Sequence, residues 1–549
     1  MPATTNMHLE IQYANTDKPV GVIRSSYRED GKIKHKQFGR IAGQTLEQLK
    51  MLQLTFRNEV IAKSDPEAVQ VVGSKEYGAS YTILSMIKEI GLDKAMYSQP
   101  QPWVSNISAM IIGRIIFAGS KLALCNQYNN SSLWEQCGVE GRPDVRKHCY
   151  EALDKLLARQ KGIQKKLAKK HLKNGNLVLY DVTSSYLEGQ YANSELVKYG
   201  YNRDGKKKHE QIVIGLICNG EGCPVGVEVF KGNTKDETTV SDKVEELKET
   251  YEIKQAIFVG DRGMVTEAIA EELEEKGVNT IGALTRAGIQ KLIEKGIIKP
   301  SEFKEKKIEE VVDPESPTRR YCLCKNPESA KRDAKTREKL IELTIEGLEE
   351  IANYKQKTTV EVLGARVGKV LQKYRMNKYI SWEVEGDKKE KESTKHKLLW
   401  SKKEEAIAKD KNLDGCYVIT TKVAEKTMDK EEVVTSYKKL EQVEIAFRNL
   451  KTVQLEMRPV YHNLDHRIKA HVFLCMLAYY VQWHMQKRLE PLFKKNKKGW
   501  EGRWTFVQVI ETLKMITRNR IEANGMSFYR NTVPDEEQKY ILDLMGIIM

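Results

Sequence analysis

A chain of 549 residues is long enough for about three to four average domains, which excludes a minimal binding module. Lysine and arginine number 91 against 76 acids, a formal charge of +15, so a polyanionic partner such as nucleic acid suits the chain better than an acidic small molecule, with solvated lysine faces as the other reading. Nine cysteines without a C-x-x-C pair fit a reducing cytosol and show no metal cluster of Cys and His, and the lack of G-x-G-x-x-G or Walker-type loops leaves ATP-driven chemistry unsupported.

The N-terminal residues have neither the basic start nor the apolar core of a secretory signal, so export is not expected. Residues 18 to 40 alternate apolar and polar about Asp30-Gly31, which predicts a small β-hairpin, and residues 1–75 are expected to hold it with a helix. Helical spacing dominates residues 76–174, a probable DNA-binding region that ends in a lysine-crowded segment holding Lys161, Lys165, Lys166, Lys169, Lys170 and Lys173.

From residue 175 the pattern changes. "NGNLVLYDVTSSYLEG" at 174–189 runs through Leu177, Val178, Leu179 and Tyr180 and then presents Asp181. Strands at 210–219 and 224–232 complete a meander, and a charged helical stretch begins at Asp236. "KQAIFVGDRGMV" then climbs through Ala256, Ile257, Phe258 and Val259 to Asp261, and a helix from Met264 leads to a strand at 278–286. The order β-β-β-α-β-α-β in 175–289 is an α/β layer architecture whose last strands pair by crossover.

Residues 290–435 differ in character. Charge-rich helical stretches such as "ESAKRDAKTREKLIELTIEGLEEI" alternate with strand candidates such as "KYISWEVEG" and "GCYVITTKV", which reads as an inserted domain. Helical spacing resumes over 436–490 and small helices are expected over 491–549. "AHVFLCMLAYYVQWHM" at 470–485 is too short to span a bilayer and reads as a buried core helix.

The segment "SYKKLEQVEIAFRNLKTVQLEMRPVY" tests whether a third acid joins the two aspartates. At about 100° per residue, Glu444, Arg448 and Lys451 all fall within about 40° of Tyr437, beside an apolar stripe of Val443, Phe447 and Leu450. Glu188, Asp204 and Asp236 are competing acids. Asp204 precedes Gly205 in an ordinary turn pair and Asp236 opens a helix, so both have structural explanations. His209, His462, His466 and His471 lie far from any Ser or Cys motif, and helix surface or DNA contact is their default.

Asp181 on the first strand, Asp261 after the fourth and Glu444 on a late helix together resemble the ribonuclease H-like core of DDE transposases. More narrowly the chain resembles transposases of bacterial insertion sequences of the insertion-sequence-4 type, whose third acid lies in a Y-x2-R-x3-E-x6-K helix signature. Here that signature reads Tyr437, Leu440, Glu444, Lys451. Leucine stands at the arginine position, and Arg448, one turn past Glu444, is the expected substitute. "VFKGNTKDETT", "GDRGM" and "EMRPVYHNLDHRIKAHVFLCMLAYY" are similar to that family as well.

The resemblance implies a ribonuclease H-like mixed sheet with flanking helices, interrupted by a strand-containing insertion. It implies catalysis by Asp181, Asp261 and Glu444 holding two Mg²⁺ (or Mn²⁺) ions, with Tyr437, Arg448 and Lys451 on DNA phosphates. Three converging carboxylates repel at about 4 kcal/mol per pair, for separations of about 4 Å and an effective dielectric of about 20, which a divalent cation relieves. The implied protein is cytoplasmic, binds double-stranded DNA at terminal inverted repeats and target, acts as a homodimer on DNA, and cleaves and joins strands, a hairpin DNA intermediate being one route. A ribonuclease H-like nuclease or resolvase that cuts without joining, and an inactive DNA-binding descendant, are the rival readings. Trp382 and Trp400 read equally as core packing or as stacking surfaces for an unpaired base.

Overall fold

The computed structural model describes residues 7–16, 18–29, 32–56, 69–173, 175–203, 205, 208–240, 251, 253, 255–354, 358–385, 397–453, 455–458, 460–493, 504–523 and 526–549. These fall into two compact units. One comprises Met1–Ala79, Asn129–Ser132 and Glu511–Lys539, and the other Ser80–Tyr128, Leu133–Ile510 and Tyr540–Met549.

The first unit holds strands β1 (Met7–Gln12), β2 (Val20–Glu29), β3 (Lys32–Ile41) and β4 (Val69–Glu76), together with β15 (Thr517–Ala523) and β16 (Met526–Asn531) from the far end of the chain. β1, β2 and β3 form an antiparallel sheet, and the pair Glu29↔Lys32 leaves a two-residue connection. Asp30 and Gly31 themselves lie outside the described residues. A second sheet, β16-β15-β4, corrects the expectation of helices alone after residue 491. Its register ends at Ala523↔Met526, and the two residues between are Asn-Gly in sequence, the hairpin dipeptide that helix-biased counting passes over. β4 and β15 pair across more than 400 residues, a partnership that no local pattern announces.

The second unit is built on an eight-stranded mixed sheet. Its strands are β5 (Leu177–Tyr186), β6 (Gln211–Asn219), β7 (Pro224–Lys231), β8 (Ala256–Gly260), β9 (Val278–Ala283), β10 (Glu309–Asp313), β11 (Ser316–Lys325) and β14 (Cys416–Thr421), in the order β10-β11-β14-β9-β8-β5-β6-β7. β5, β6 and β7 form the expected antiparallel meander, while β8 joins β5 and β9 joins β8 in parallel. Where a helix is foreseen from Asp236, the described residues Asp236–Thr239 form a 3₁₀ turn; residues 241–250 lie outside the described residues.

β5 and β6 are almost wholly buried. The helix Asp465–Arg488, which packs against β7, buries Ile468 and every side chain from Ala470 to Gln482, so most of the 470–485 run is core. Among the described residues no single helix is long and apolar enough to cross a membrane. The helix Gln160–His171 turns Ile163, Gln164, Leu167 and Ala168 inward. Two of its lysines are engaged within the unit, Lys166 donating to the carbonyls of Lys94 and Ala95 and Lys170 to that of Ile90.

Residues 290–435 contribute to the sheet as well as standing apart from it. β14 pairs with β9, and β11 and β10 follow, so three strands of this stretch extend the sheet that carries Asp181. The remainder has its own core, in which the helices Pro327–Ala352 and Val360–Tyr374 pack Ile341, Leu348, Val367 and Leu371 against a hairpin of β12 (Ile380–Glu385) and β13 (Lys397–Lys402). Trp382 and Trp400 are opposite one another on that hairpin. Trp400 packs against this core, whereas Trp382 is 40% exposed.

Gly215 shows how tightly the central strands meet. A Cβ there would come 2.4 Å from Oη of Tyr180, a fully buried ring on β5. Gly215→Val should therefore cost on the order of 1 to 3 kcal/mol, read as a lower urea midpoint; an unchanged midpoint would show that Tyr180 has room to move.

Candidate active site

Strand register brings the two aspartates together. β5 and β8 run parallel with Leu177↔Ile257 through Tyr180↔Gly260 in step, so the next residue on each is an aspartate, Asp181 beside Asp261. Adjacent strands lie about 4.8 Å apart. Asp181 is not at a strand end, as its apolar prelude suggested. β5 continues to Tyr186 with β6 as its partner, and the strand that stops here is β8. Its departure opens the sheet beside Asp181 and leaves room for other groups, the usual position of sites at the carboxyl ends of parallel strands.

The third acid comes from the helix Leu440–Arg448, which packs on β5 through a buried face containing Val443, Ala446 and Phe447. Glu444 is exposed on its other side. Asp181, Asp261, Glu444, Arg448 and Lys451 all line one cleft of about 330 Å³, joined by Thr183, Arg203, Asp236 and Arg262. Tyr437 reaches the same place, its hydroxyl donating to Oδ1 of Asp261 at 3.2 Å.

The stretch from Tyr437 to Lys451 is not one uniform α-helix, which corrects the wheel drawn on it. One helix covers Lys430–Lys438, the next begins at Leu440, and Asn449–Val453 forms a π turn. Leu440, at the signature arginine position, is buried. Lys451 sits in the π turn and is only 8% exposed; Nζ donates to Thr183 Oγ1 and to the Ser184 carbonyl, each at 2.5 Å. π turns often occur at functional sites; this one carries a cation to the strand of Asp181, two residues beyond it.

Charge is crowded here. Burial, opposed by the Val182 N–H that donates to Oδ1 at 2.7 Å, pushes Asp181 up to about 7, and the charges of Asp261 and Glu444 push the same way while Arg203 counters them. Tyr437 is likewise raised, first by burial and then by Asp261. Arg203 was not singled out in the sequence. Its guanidinium donates to the Val182 carbonyl at 2.5 Å and pairs with Asp236. The segment "NRDG" reads as a turn, and nothing local announces that its arginine returns to β5. Asp236 opens its turn as expected, but its carboxylate also orients Arg203. Glu188 is not among the residues that line the cleft and lies 3.9 Å from His209.

The histidines need a correction. His471 is buried, with Nδ1 2.5 Å from Lys121 Nζ, and His462 stacks between His471 and Tyr150. Burial, then the charge of Lys121, holds His462 down to about 3. His471 is an interior group because the helix that bears it is buried on nearly all sides, whereas His462 precedes that helix and is half-buried. His466 lies 3.4 Å from Asp154.

The donor set suits a hard divalent cation. Asp181, Asp261 and Glu444 offer carboxylate oxygens from three elements, and the proton that Asp181 retains when the site has no cation reflects the burial and mutual repulsion that a metal offsets.

Residues 173–481 match the family described as Transposase DDE domain, more than half of the chain. The protein belongs to the DDE transposase family. It is a DNA transposase, an enzyme of DNA strand cleavage and strand transfer, in a family that generally depends on divalent metal. No curated protein matches the chain. A piggyBac transposase synaptic complex with hairpin DNA, solved by cryo-electron microscopy, is similar at 10% identity over 81% of each chain with a TM-score of 0.32, a likeness too slight to carry any argument.

Asp181 makes the transposase's stability depend on pH. A folded value near 7 against 3.8 for the free acid means that the fold favours the protonated form. Stability from this group is full below the free-acid value and is lost as pH rises toward 7. In chelator, Asp181→Asn should therefore exceed wild type by on the order of 1 to 3 kcal/mol at pH 8. The advantage should vanish by about pH 4, as urea titrations at the two pH values would show; a gain independent of pH would assign it to packing.

Proposed function

We propose that Asp181, Asp261 and Glu444 are the catalytic acids of this transposase and together hold two Mg²⁺ or Mn²⁺ ions. The observation that carries the reading is the β5–β8 register, which sets one aspartate beside the other under a helix whose glutamate lines the same cleft. The five strands β9-β8-β5-β6-β7, three by hairpin and two in parallel at the first, support a ribonuclease H-like core. Tyr437, Glu444 and Lys451 support the insertion-sequence-4 type of helix signature, with Arg448 or Arg203 in place of the arginine that Leu440 lacks.

In that reading the bound ions supply Lewis-acid stabilisation of a phosphodiester and an activated water or 3′-hydroxyl. The chain supplies placement. The rigid strand pairing holds Asp181 and Asp261, the buried face of the helix holds Glu444 across from them, and Tyr437 fixes the rotamer of Asp261 through its hydrogen bond. Arg448 and the rim arginines meet the DNA backbone, contacts that position without reading sequence. Lys451 neutralises charge from within the wall and supports Thr183. The partners are double-stranded element ends and target DNA, engaged by a homodimer in the cytoplasm, where the nine free thiols remain reduced.

The test is cleavage and joining of end-bearing DNA in Mg²⁺, resolved on denaturing gels that distinguish nicked, hairpin and joined products. Asp181→Asn, Asp261→Asn and Glu444→Gln should each lower both steps by at least about 100-fold while binding DNA as wild type does. Normal joining by any one of them removes that residue from the site. Cleavage by the wild type without any joined product would favour the nuclease reading.

A further inference from the structure

Away from the acidic cleft, the second unit gathers three ligands of another kind. His171 is the last residue of the helix Gln160–His171, Cys223 directly precedes β7, and His484 lies near the end of the helix Asp465–Arg488. One donor atom from each lies within 4.8 Å of the other two. Tetrahedral zinc with bonds of about 2.0 to 2.3 Å needs donors about 3.3 to 3.7 Å apart, so side-chain rotation of about an ångström closes the set.

The surroundings favour a ligand over a fortuitous cluster. Nε2 of His484 is buried and has no hydrogen-bond partner, a costly state for a ring nitrogen. The buried Cys223 thiol finds only a weak contact with the Pro224 carbonyl at 4.0 Å. Tyr480 Oη shares a 2.8 Å hydrogen bond with His171 Nε2, the kind of partner that orients a metal-bound imidazole or yields to the ion. Tyr480 and Trp483 set ring edges against His484, with centroids 4.6 and 5.0 Å away, and shield it from water.

We propose that His171, Cys223 and His484 form a zinc site that ties two helices to the entrance of β7. Nitrogen and thiolate donors select zinc over the magnesium suited to the carboxylate cleft. The Cys223 thiol releases its proton as the ion binds. A fourth position is open to water or to Glu221, whose carboxylate pairs with Lys487 at 3.2 Å. The ligands lie far apart in sequence, which is why no Cys-His spacing motif discloses them.

The probe is Co²⁺ added to the reduced, metal-stripped full chain, because a thiolate ligand gives a near-ultraviolet charge-transfer band that a carboxylate site cannot give. The band should saturate at one ion per chain, be displaced by Zn²⁺, persist in Glu444→Gln, and disappear in Cys223→Ser. Zn²⁺ should raise the thermal midpoint of wild type and of Glu444→Gln but not of folded Cys223→Ser or His484→Ala, with folding checked by circular dichroism. Absence of the band in wild type, its survival in Cys223→Ser or its loss in Glu444→Gln would each overturn the site. None of these readings depends on the assignment of the catalytic acids.

Discussion

The site depends on the pairing of two parallel strands, β5 and β8, in a register that puts Asp181 against Asp261. Two carboxylates at neighbouring positions oppose folding through repulsion and desolvation, which Arg203 and the Val182 N–H at the site offset only in part. The surrounding layers impose the arrangement. β5 is buried between its neighbours and under the helix Leu440–Arg448, and its burial holds the strand in place despite the charge it carries. A one-residue slip of β5 against β8 would move every β5 side chain to the opposite buried face and lose the packing of both. The same hydrophobic pattern that makes the sheet therefore also fixes the carboxylate pair.

Around that pair the protein arranges counter-charge in two layers. Lys451 is interior, held by Thr183 and Ser184 and delivered by a π turn. Arg203 spans from the Val182 carbonyl to Asp236. Both reach β5 immediately beyond Asp181, whose titration stays raised, first by burial and then by the charges of Asp261 and Glu444. A transposase must accept a polyanion at a cluster of acids; the exposed arginines at the cleft, Arg262 and Arg448, place positive charge on its rim.

The stretch between β9 and the Glu444 helix has two roles. Through β10, β11 and β14 it widens the sheet beyond β9, and through the helices around Leu348 and Val367 it builds a core of its own. The boundary drawn at 290 and 435 marks a change of composition, whereas the sheet crosses it. The strand candidate in "GCYVITTKV" is Cys416–Thr421, and its pairing with β9 and β11 makes it part of the main sheet rather than of a separate domain.

Several features were legible in sequence because they depend on local periodicity or on short signatures. The meander, the apolar runs leading to Asp181 and Asp261, the apolar stripe beside Glu444 and the buried character of residues 470–485 are of this kind. Others were settled only by the tertiary structure: the end of β8 rather than β5 at the aspartates, the break and π turn that bury Lys451, the return of Arg203, the strands β15 and β16 with their remote partner β4, and the meeting of His171, Cys223 and His484. The physical reason is the range of the forces involved. Side-chain direction along one helix or strand follows from backbone geometry over a few residues, but pairing register, interior charge contacts and ligand clusters depend on segments brought together by burial of the whole core, and no window along the chain contains both partners.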